Sequence, residues 1–209
     1  MHTLRVTTDD ELLIRQRALQ AESDAAAADL GLDETLRTFG RPTRTGSSAL
    51  GLMVKRDVDI TVACPELTPS LREQVVELAA RLARHERVRQ VMFRDDTGRW
   101  NSEPEEYPDG LYIGLRYRAA DAGSQEWNFD VWLVDQPERQ PDLAHLKTLL
   151  PRLTDETRVA ILQIKEVWIT RPEYGRGVNG ALIYGAVLDD GVRSVDEFEN
   201  WFKARAAAL

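Results

Sequence analysis

The chain has 209 residues, 43% hydrophobic and 30% charged, with Lys+Arg 27 against Asp+Glu 35 and a formal net charge of −8. That balance suits a globular chain with a buried core and argues against a polyanion binder held by bulk electrostatics. The single cysteine, Cys64, excludes an internal disulfide and a thiolate metal cluster. No apolar run, Ala49 to Val54 included, comes near the ~20 residues that span a bilayer. Met1–Asp10 lacks the basic-then-apolar pattern of a secretory leader, so a cytoplasmic setting with no membrane partner is expected.

The stretch Asp9–Leu30, without Gly or Pro, predicts a helix capped by Asp9 or Asp10. Leu12, Leu13, Leu19 and Leu30 supply its partial apolar stripe, and Gly31 is a natural stop. Residues 37–56 then hold Arg37, Arg41, Arg44, Lys55 and Arg56 and no acid, a basic stretch inside an acidic chain. Asp57–Cys64 alternates polar and β-branched residues and predicts a two-faced strand.

Pro69–Glu86 predicts a helix opened by proline, with Leu71, Val75, Leu78, Ala79 and Leu82 at helical spacing. Val88–Arg94 is a short strand, and Asp95–Gly110, with six acids against Arg99, an acidic loop. Leu111–Arg118 and Trp127–Val134 are alternating strands parted by a turn at Ala120–Ser124. Helical segments follow near Asp142–Leu150, Asp155–Ile169, Val178–Asp189 and Ser194–Ala207, the last opening on a Ser194/Glu197 capping box. Gln136-Pro137 and Gln140-Pro141 mark a boundary between a mixed α/β region with its N-terminal helix, 1–135, and a helical cap, 136–209. The cap's short apolar stripes predict helices that pack on one another and on the sheet, leaving a cleft over the acids.

Three features in one order carry chemistry: Gly46-Ser47, then nine intervening residues to Asp57-Val58-Asp59-Ile60, and later Phe129-Asp130-Val131. Residues i and i+2 of a strand share a face, so Asp57 and Asp59 project together while Val58, Ile60 and Val62 pack inward. On the later strand Phe129, Val131 and Leu133 face the core, leaving Asn128, Asp130 and Trp132 outside. Three converging carboxylates repel one another unless cations neutralise them, and hard oxygen ligands favour Mg²⁺ or Mn²⁺. Gly46 allows close backbone approach and Ser47 offers a hydroxyl donor, as a triphosphate requires. Taken singly a Gly-Ser is a turn and an Asp-x-Asp a solvated face. Their order on neighbouring strands is what points to phosphoryl or nucleotidyl transfer.

That pattern resembles the polymerase-β-like nucleotidyltransferase superfamily. Within it, Gly46-Ser47-Ser48-Ala49-Leu50-Gly51-Leu52, Lys55 and Asp59-Ile60 resemble the GrpB-like branch of small bacterial proteins. The chain is one residue shorter inside that motif and has Asp57 where the branch commonly has an aliphatic residue. The resemblance covers roughly 40–135. It implies an α/β (α+β) fold, a mixed twisted sheet with a C-terminal helical cap, and a transferase moving NMP from an NTP, with ATP expected, to a hydroxyl. Asp57, Asp59 and Asp130 are then the metal-binding catalytic acids, with Asp130 helping to deprotonate the acceptor, while Gly46 and Ser47 grip the β- and γ-phosphates.

Arg44 and Lys55, flanking the Gly-Ser turn, and Lys165, near Ile161, Leu162 and Trp168, are candidate phosphate contacts. Tyr112 and Arg116, opposite Ile113 and Leu115 on their strand, are candidate substrate contacts, and Trp132 is placed to stack on a base. The acidic loop, with Glu105 and Glu106, forms the expected acceptor wall with the strand Leu111–Arg118. Charge favours a small, cationic acceptor. A tRNA acceptor, as in toxin-type relatives, a protein acceptor, and a non-catalytic nucleotide-binding module are the alternatives. His2, His85 and His145 have no ligand spacing, and no Ser/His/Asp set, Walker A motif or dinucleotide fingerprint appears.

Overall fold

A computed structural model describes residues 8–119 and 125–207. The expected turn at Ala120–Ser124 lies outside the described residues, as does His2. The elements run α1 (Asp9–Asp29), α2 (Leu32–Arg37), β1 (Arg41–Thr45), α3 (Gly46–Leu50), β2 (Asp57–Ala63), α4 (Pro69–Ala83), β3 (Val88–Asp96), β4 (Gly110–Tyr117) and β5 (Trp127–Val134). Four longer helices follow: α5 (Pro141–Leu149), α6 (Asp155–Trp168), α7 (Gly180–Leu188) and α8 (Val195–Ala206).

One mixed sheet has the order β1-β2-β5-β4-β3. β2 and β5 are parallel, and every other neighbouring pair is antiparallel. The register of the parallel pair is decisive for the site. Asp57 lies opposite Asn128, Val58 opposite Phe129 and Asp59 opposite Asp130. Alternation then buries Val58, Ile60, Val62, Phe129, Val131 and Leu133 on one face, each at most 2% exposed. This face packs with residues of α1, α2 and α4, including Leu19, Leu36, Val75 and Leu78, as the main core.

The cap helices build a second cluster around Ile161, Ile164, Trp168, Ile183 and Phe198, closed by Leu50 and Leu52 from the α3 region. The cap therefore has more of an apolar interior of its own than its short stripes suggest. Two polar side chains of α6 tie it to α3. Arg158 donates to the Leu50 carbonyl, and Lys165 Nζ donates to the Leu52 carbonyl at 2.6 Å.

Three local expectations change. Thr8, not an aspartate, caps α1: its hydroxyl accepts from Glu11 N while Glu11 takes the Thr8 N–H, a reciprocal box. At α8 the Ser194 hydroxyl accepts from Glu197 N, but the Glu197 carboxylate takes the Arg193 N–H at 2.7 Å, so the expected box is only half closed. Residues 37–50, read as a basic stretch with a turn, contain the end of α2, the edge strand β1 and the single helical turn α3.

Candidate active site

The site is built on the sheet face opposite the core. Asp59 and Asp130 stand side by side on β2 and β5, with Asp57 two residues before Asp59 on the same face. α3 closes over Asp59. Gly46, which opens that turn, has φ +58, and a Cβ placed on it would lie 2.0 Å from Asp59 Oδ2. The absent side chain is thus needed by the carboxylate itself, besides any ligand. Ser47 follows, partly exposed, with its hydroxyl in no hydrogen bond among the described residues.

Electrostatics mark these acids. Burial, then repulsion from Asp57, Asp130 and Asp142, pushes the Asp59 carboxyl up to about 7, against a smaller opposing pull from Lys55. Burial also raises Asp130, while the Tyr112 hydrogen bond pulls the other way and Asp57 adds repulsion. Two groups answer this charge. Lys55 Nζ pairs with Asp57 at 2.6 Å. Its burial favours the neutral amine, but the charge and hydrogen bond of Asp57, with smaller pulls from Tyr174 and Asp59, together leave the ammonium pKa raised. On the other side Tyr112 donates its hydroxyl to Asp130.

Tyr112 reaches Asp130 because Gly114, opposite Asp130 on the neighbouring strand, has no side chain: a Cβ there would lie 2.6 Å from the Tyr112 hydroxyl. Tyr112 also packs against Trp132, ring centroids 5.0 Å apart, and the Arg94 guanidinium covers both rings. On the same face Thr45 and Thr61 are each 1% exposed, with hydroxyl oxygens that find no partner. Thr45 lies opposite Asp59 in the β1–β2 register.

The donor set fits a hard divalent cation. It is all oxygen, set on one face, short of compensating charge, with a glycine cradle over Asp59. Among the described residues no three His, Cys, Asp or Glu side chains form a ready ligand cluster. The Asp57 and Asp130 carboxylates are turned to Lys55 and Tyr112, which take up part of the negative charge.

The other candidates separate clearly. Lys165 is buried, 3% exposed, and donates to the Leu52 carbonyl and to Tyr184 Oη at 3.1 Å. Burial, with a push from Lys55, lowers its pKa to about 7, against the pull of Asp57 and Asp59. Arg44 is not brought to this group. It lies opposite Ile60, on the core side of β1, and is held by Ser23 Oγ at 2.9 Å and Asp24 at 2.8 Å on α1. Arg116 is half exposed and faces Glu126 at 3.9 Å, beside Arg89 and Arg118.

Arg94, Gly114, Asp142 and Tyr184 escaped sequence reading. A glycine inside an alternating strand is the one advance signal among them. Asp142 reads as an ordinary helix-start acid, and Tyr184 as one more apolar residue of α7. Glu103, Glu105 and Glu106 are all exposed on the acidic loop, and Glu103 also lines a cavity beside Trp132.

No protein-family model and no curated protein matches the chain by sequence. Solved structures do match. Cid1 poly(U) polymerase with Mg and 3′-dATP superposes with TM-score 0.52 at 17% identity, over 80% of this chain and 47% of that one. A Cid1 mutant bound to MgATP gives TM-score 0.51 at 14% identity, over 86% and 50%. The chain spans about half the length of the Cid1 chains it matches. The shared feature is the fold, and this chain has the mixed α/β architecture of the nucleotidyltransferases.

Proposed function

We propose that the chain is a divalent-metal-dependent nucleotidyltransferase that moves NMP from an NTP, with ATP as the expected donor, to a hydroxyl of a small acceptor. The observation that carries this is the Asp59/Asp130 pair, in register on adjacent parallel strands, with Gly46 pressed against Asp59 so closely that no side chain fits. Fold likeness to Cid1 supports NMP transfer as a class of reaction. The Gly46–Leu52 motif supports membership of the GrpB-like branch.

In this reading the catalytic core is 1–135 and the cap 136–209. Asp57, Asp59 and Asp130 hold Mg²⁺ or Mn²⁺, which when bound supplies charge neutralisation for the triphosphate and the attacking oxygen. Gly46 and Ser47 line the phosphate side, α3 offering its hydroxyl and backbone N–H groups. Lys55 exchanges Asp57 for phosphate oxygens as the nucleotide enters, and Lys165 supports that side through Leu52 and Tyr184. Asp130 accepts the acceptor's proton, and Tyr112 sets the orientation of its carboxylate. The acceptor oxygen attacks the α-phosphorus and pyrophosphate departs in line.

A polynucleotide acceptor is the second reading, favoured by the likeness to a poly(U) polymerase. The charge of −8 and the acids of residues 95–109 weigh against it. A cytoplasmic setting is part of this reading; among the described residues no helix is long and apolar enough to cross a membrane. The test is incubation with each α-labelled NTP, Mg²⁺ and a cell extract as acceptor pool. Label should enter a low-molecular-weight product with wild type and not with Asp59→Asn. Label in RNA or protein supports the alternative acceptors, and nucleotide binding without any transfer supports a binding module.

A further inference from the structure

Asp130 is met from the side by Tyr112, and the sheet around Tyr112 is cut to hold it there. β4 places Gly110, Tyr112 and Gly114 in succession on the face that carries the acids, and both glycines give up volume to aromatic rings. A Cβ on Gly114 would lie 2.6 Å from the Tyr112 hydroxyl and 3.0 Å from its ring carbon Cζ. A Cβ on Gly110 would lie 3.1 Å from Trp132 Cε3. Neither glycine has a positive φ, so the strand needs space here and not backbone freedom.

In that space the two rings lie 5.0 Å apart at a tilt of 46°. Arg94 joins them from the edge strand β3, whose register puts it opposite Tyr112. Its guanidinium carbon is 4.8 Å from the Tyr112 ring centre and 5.2 Å from that of Trp132. With the ring separation these distances make a nearly equilateral triangle, so each member packs on both others. The guanidinium is fixed in turn. Its Nε meets both Asp96 carboxylate oxygens, at 2.9 and 2.8 Å, and Nη2 reaches one of them at 2.8 Å. Such a fork holds a planar group in one orientation, which a point charge cannot do. As a surface ion pair the contact adds little to stability. Its consequence lies in what the guanidinium covers.

Resting on the nucleotidyltransferase reading, we infer that Arg94 is a positioning residue for Asp130, acting through Tyr112. Asp96 orients Arg94, and Arg94 with Trp132 holds the Tyr112 ring over Gly114. The Tyr112 hydroxyl then holds one carboxylate oxygen of Asp130, and the second oxygen is left for the metal. Groups that orient a metal-binding carboxylate contribute to metal affinity although they never touch the ion. Without Arg94 the Tyr112 hydroxyl remains but its ring loses one wall, so the bond to Asp130 is made for less of the time. Neither Arg94 nor Asp96 lies on the phosphate side formed by Gly46 and Ser47, so nucleotide binding without metal is left as it was.

The test is calorimetric titration of a non-hydrolysable ATP analogue into the full chain, once with Mg²⁺ and once with EDTA. The ratio of the two affinities reports how well the acids hold the metal. Tyr112→Phe should lower that ratio by about tenfold and Arg94→Met by about fivefold, with the EDTA affinity within about twofold of wild type. Arg94 is half exposed, so its replacement should leave the fold and the melting temperature nearly unchanged. Arg94→Lys should lie closer to Arg94→Met than to wild type, since it keeps the charge and loses the fork. Combining Arg94→Met with Tyr112→Phe should take the ratio no further than Tyr112→Phe alone, within about twofold, because Arg94 then has no hydroxyl to place. An unchanged ratio in Arg94→Met overturns the assignment. So does an equal loss with and without Mg²⁺, which marks packing alone, or full rescue by Arg94→Lys, which marks charge alone. Losses that multiply in the double variant overturn it as well, since Arg94 then acts independently of Tyr112. Failure of the underlying reading looks different: wild type itself then binds the analogue equally with Mg²⁺ and with EDTA.

Discussion

Strands β2 and β5 bury Val58, Ile60, Phe129 and Val131 on one face and carry Asp57, Asp59 and Asp130 on the other, within the same seven- and eight-residue elements. The apolar face gains free energy on folding in proportion to the area it removes from water. The acid face loses it, because like charges are held side by side and partly desolvated. A sheet with these two faces is stable through the first and reactive through the second. Substitutions on the two faces should therefore move stability in opposite directions, and only those on the acid face should move chemistry directly.

The largest expected effect is Asp59→Asn. Transfer of labelled NMP should drop by at least about a thousandfold, as when a site loses charge stabilisation at the reacting centre. The same variant should melt higher than wild type in EDTA, since an isosteric amide removes the repulsion and keeps the shape. A variant that loses activity and also melts lower would break the contrast between the faces. Phe129→Ala, on the buried face of β5 next to Asp130, should destabilise by about 3–5 kcal/mol in denaturant titration, the usual cost of emptying a buried aromatic site.

Gly46→Ala tests where the two faces meet α3. The new Cβ falls on Asp59 Oδ2, and φ +58 is unfavourable for alanine by about 1–2 kcal/mol even without that clash. Activity should fall by about a hundredfold while the far-UV spectrum is kept, because the carboxylate or the α3 turn has to shift. Retention of full Mg²⁺-dependent activity in this variant would detach α3 from the site.

The alternation that separates the faces was the part most legible in the sequence. β5 runs over Trp127–Val134 as expected, and the faces of β2 and β5 are those that period 2 predicts. Elements without an apolar period were not legible. β1 reads Arg-Pro-Thr-Arg-Thr, polar because it is an edge strand, so nothing in it revealed that Arg44 points to α1. Lys165 lay visibly among apolar residues of α6. Whether such a lysine snorkels outward or is buried depends on what covers it, here the Leu52 carbonyl and Tyr184 from two distant segments. The Tyr112–Asp130 bond depends on the space above Gly114, which only the β4–β5 register defines.

The pH profile of the metal-free protein separates two costs of the acid side. Asp59 holds its proton to about pH 7 when folded and to about 4 when unfolded, so between those values the native state binds more protons. Stability must fall as pH rises through that window, by about 2–3 kcal/mol after allowance for partial exposure. Lys165 has the opposite sense. Folded, it gives up its proton near 7 rather than 10.5, so the unfolded state binds more protons above that point and stability rises from there toward pH 10. The two limbs meet in a minimum near neutrality. Urea melts in EDTA should lose the acid limb in Asp59→Asn and the alkaline limb in Lys165→Met, and saturating Mg²⁺ should fill the minimum in wild type. A flat wild-type profile would contradict both assignments.

The smallest expected effect concerns Arg116, which alternation puts on the acid face with Tyr112 and Gly114. Sharing a face is a statement about direction, not position along the strand, and here position decides. Arg116 lies opposite Asn128, toward the end of β5 away from the cavity, and its guanidinium is half exposed and faces Glu126. Glu126 already has two closer partners, Arg89 at 3.1 Å and Arg118 at 2.8 Å, so the third arginine is the least needed of the cluster. An exposed, shared ion pair of this kind contributes little. Arg116→Ala should leave the melting temperature within about 2 °C of wild type, and transfer to the true acceptor within about twofold. Trp132→Ala, on the same face but in the cavity wall, should weaken acceptor binding by about tenfold, as loss of an aromatic platform does. If Arg116→Ala proved the more damaging of the two, the acceptor would lie along β4 toward Glu126 and not beside Trp132.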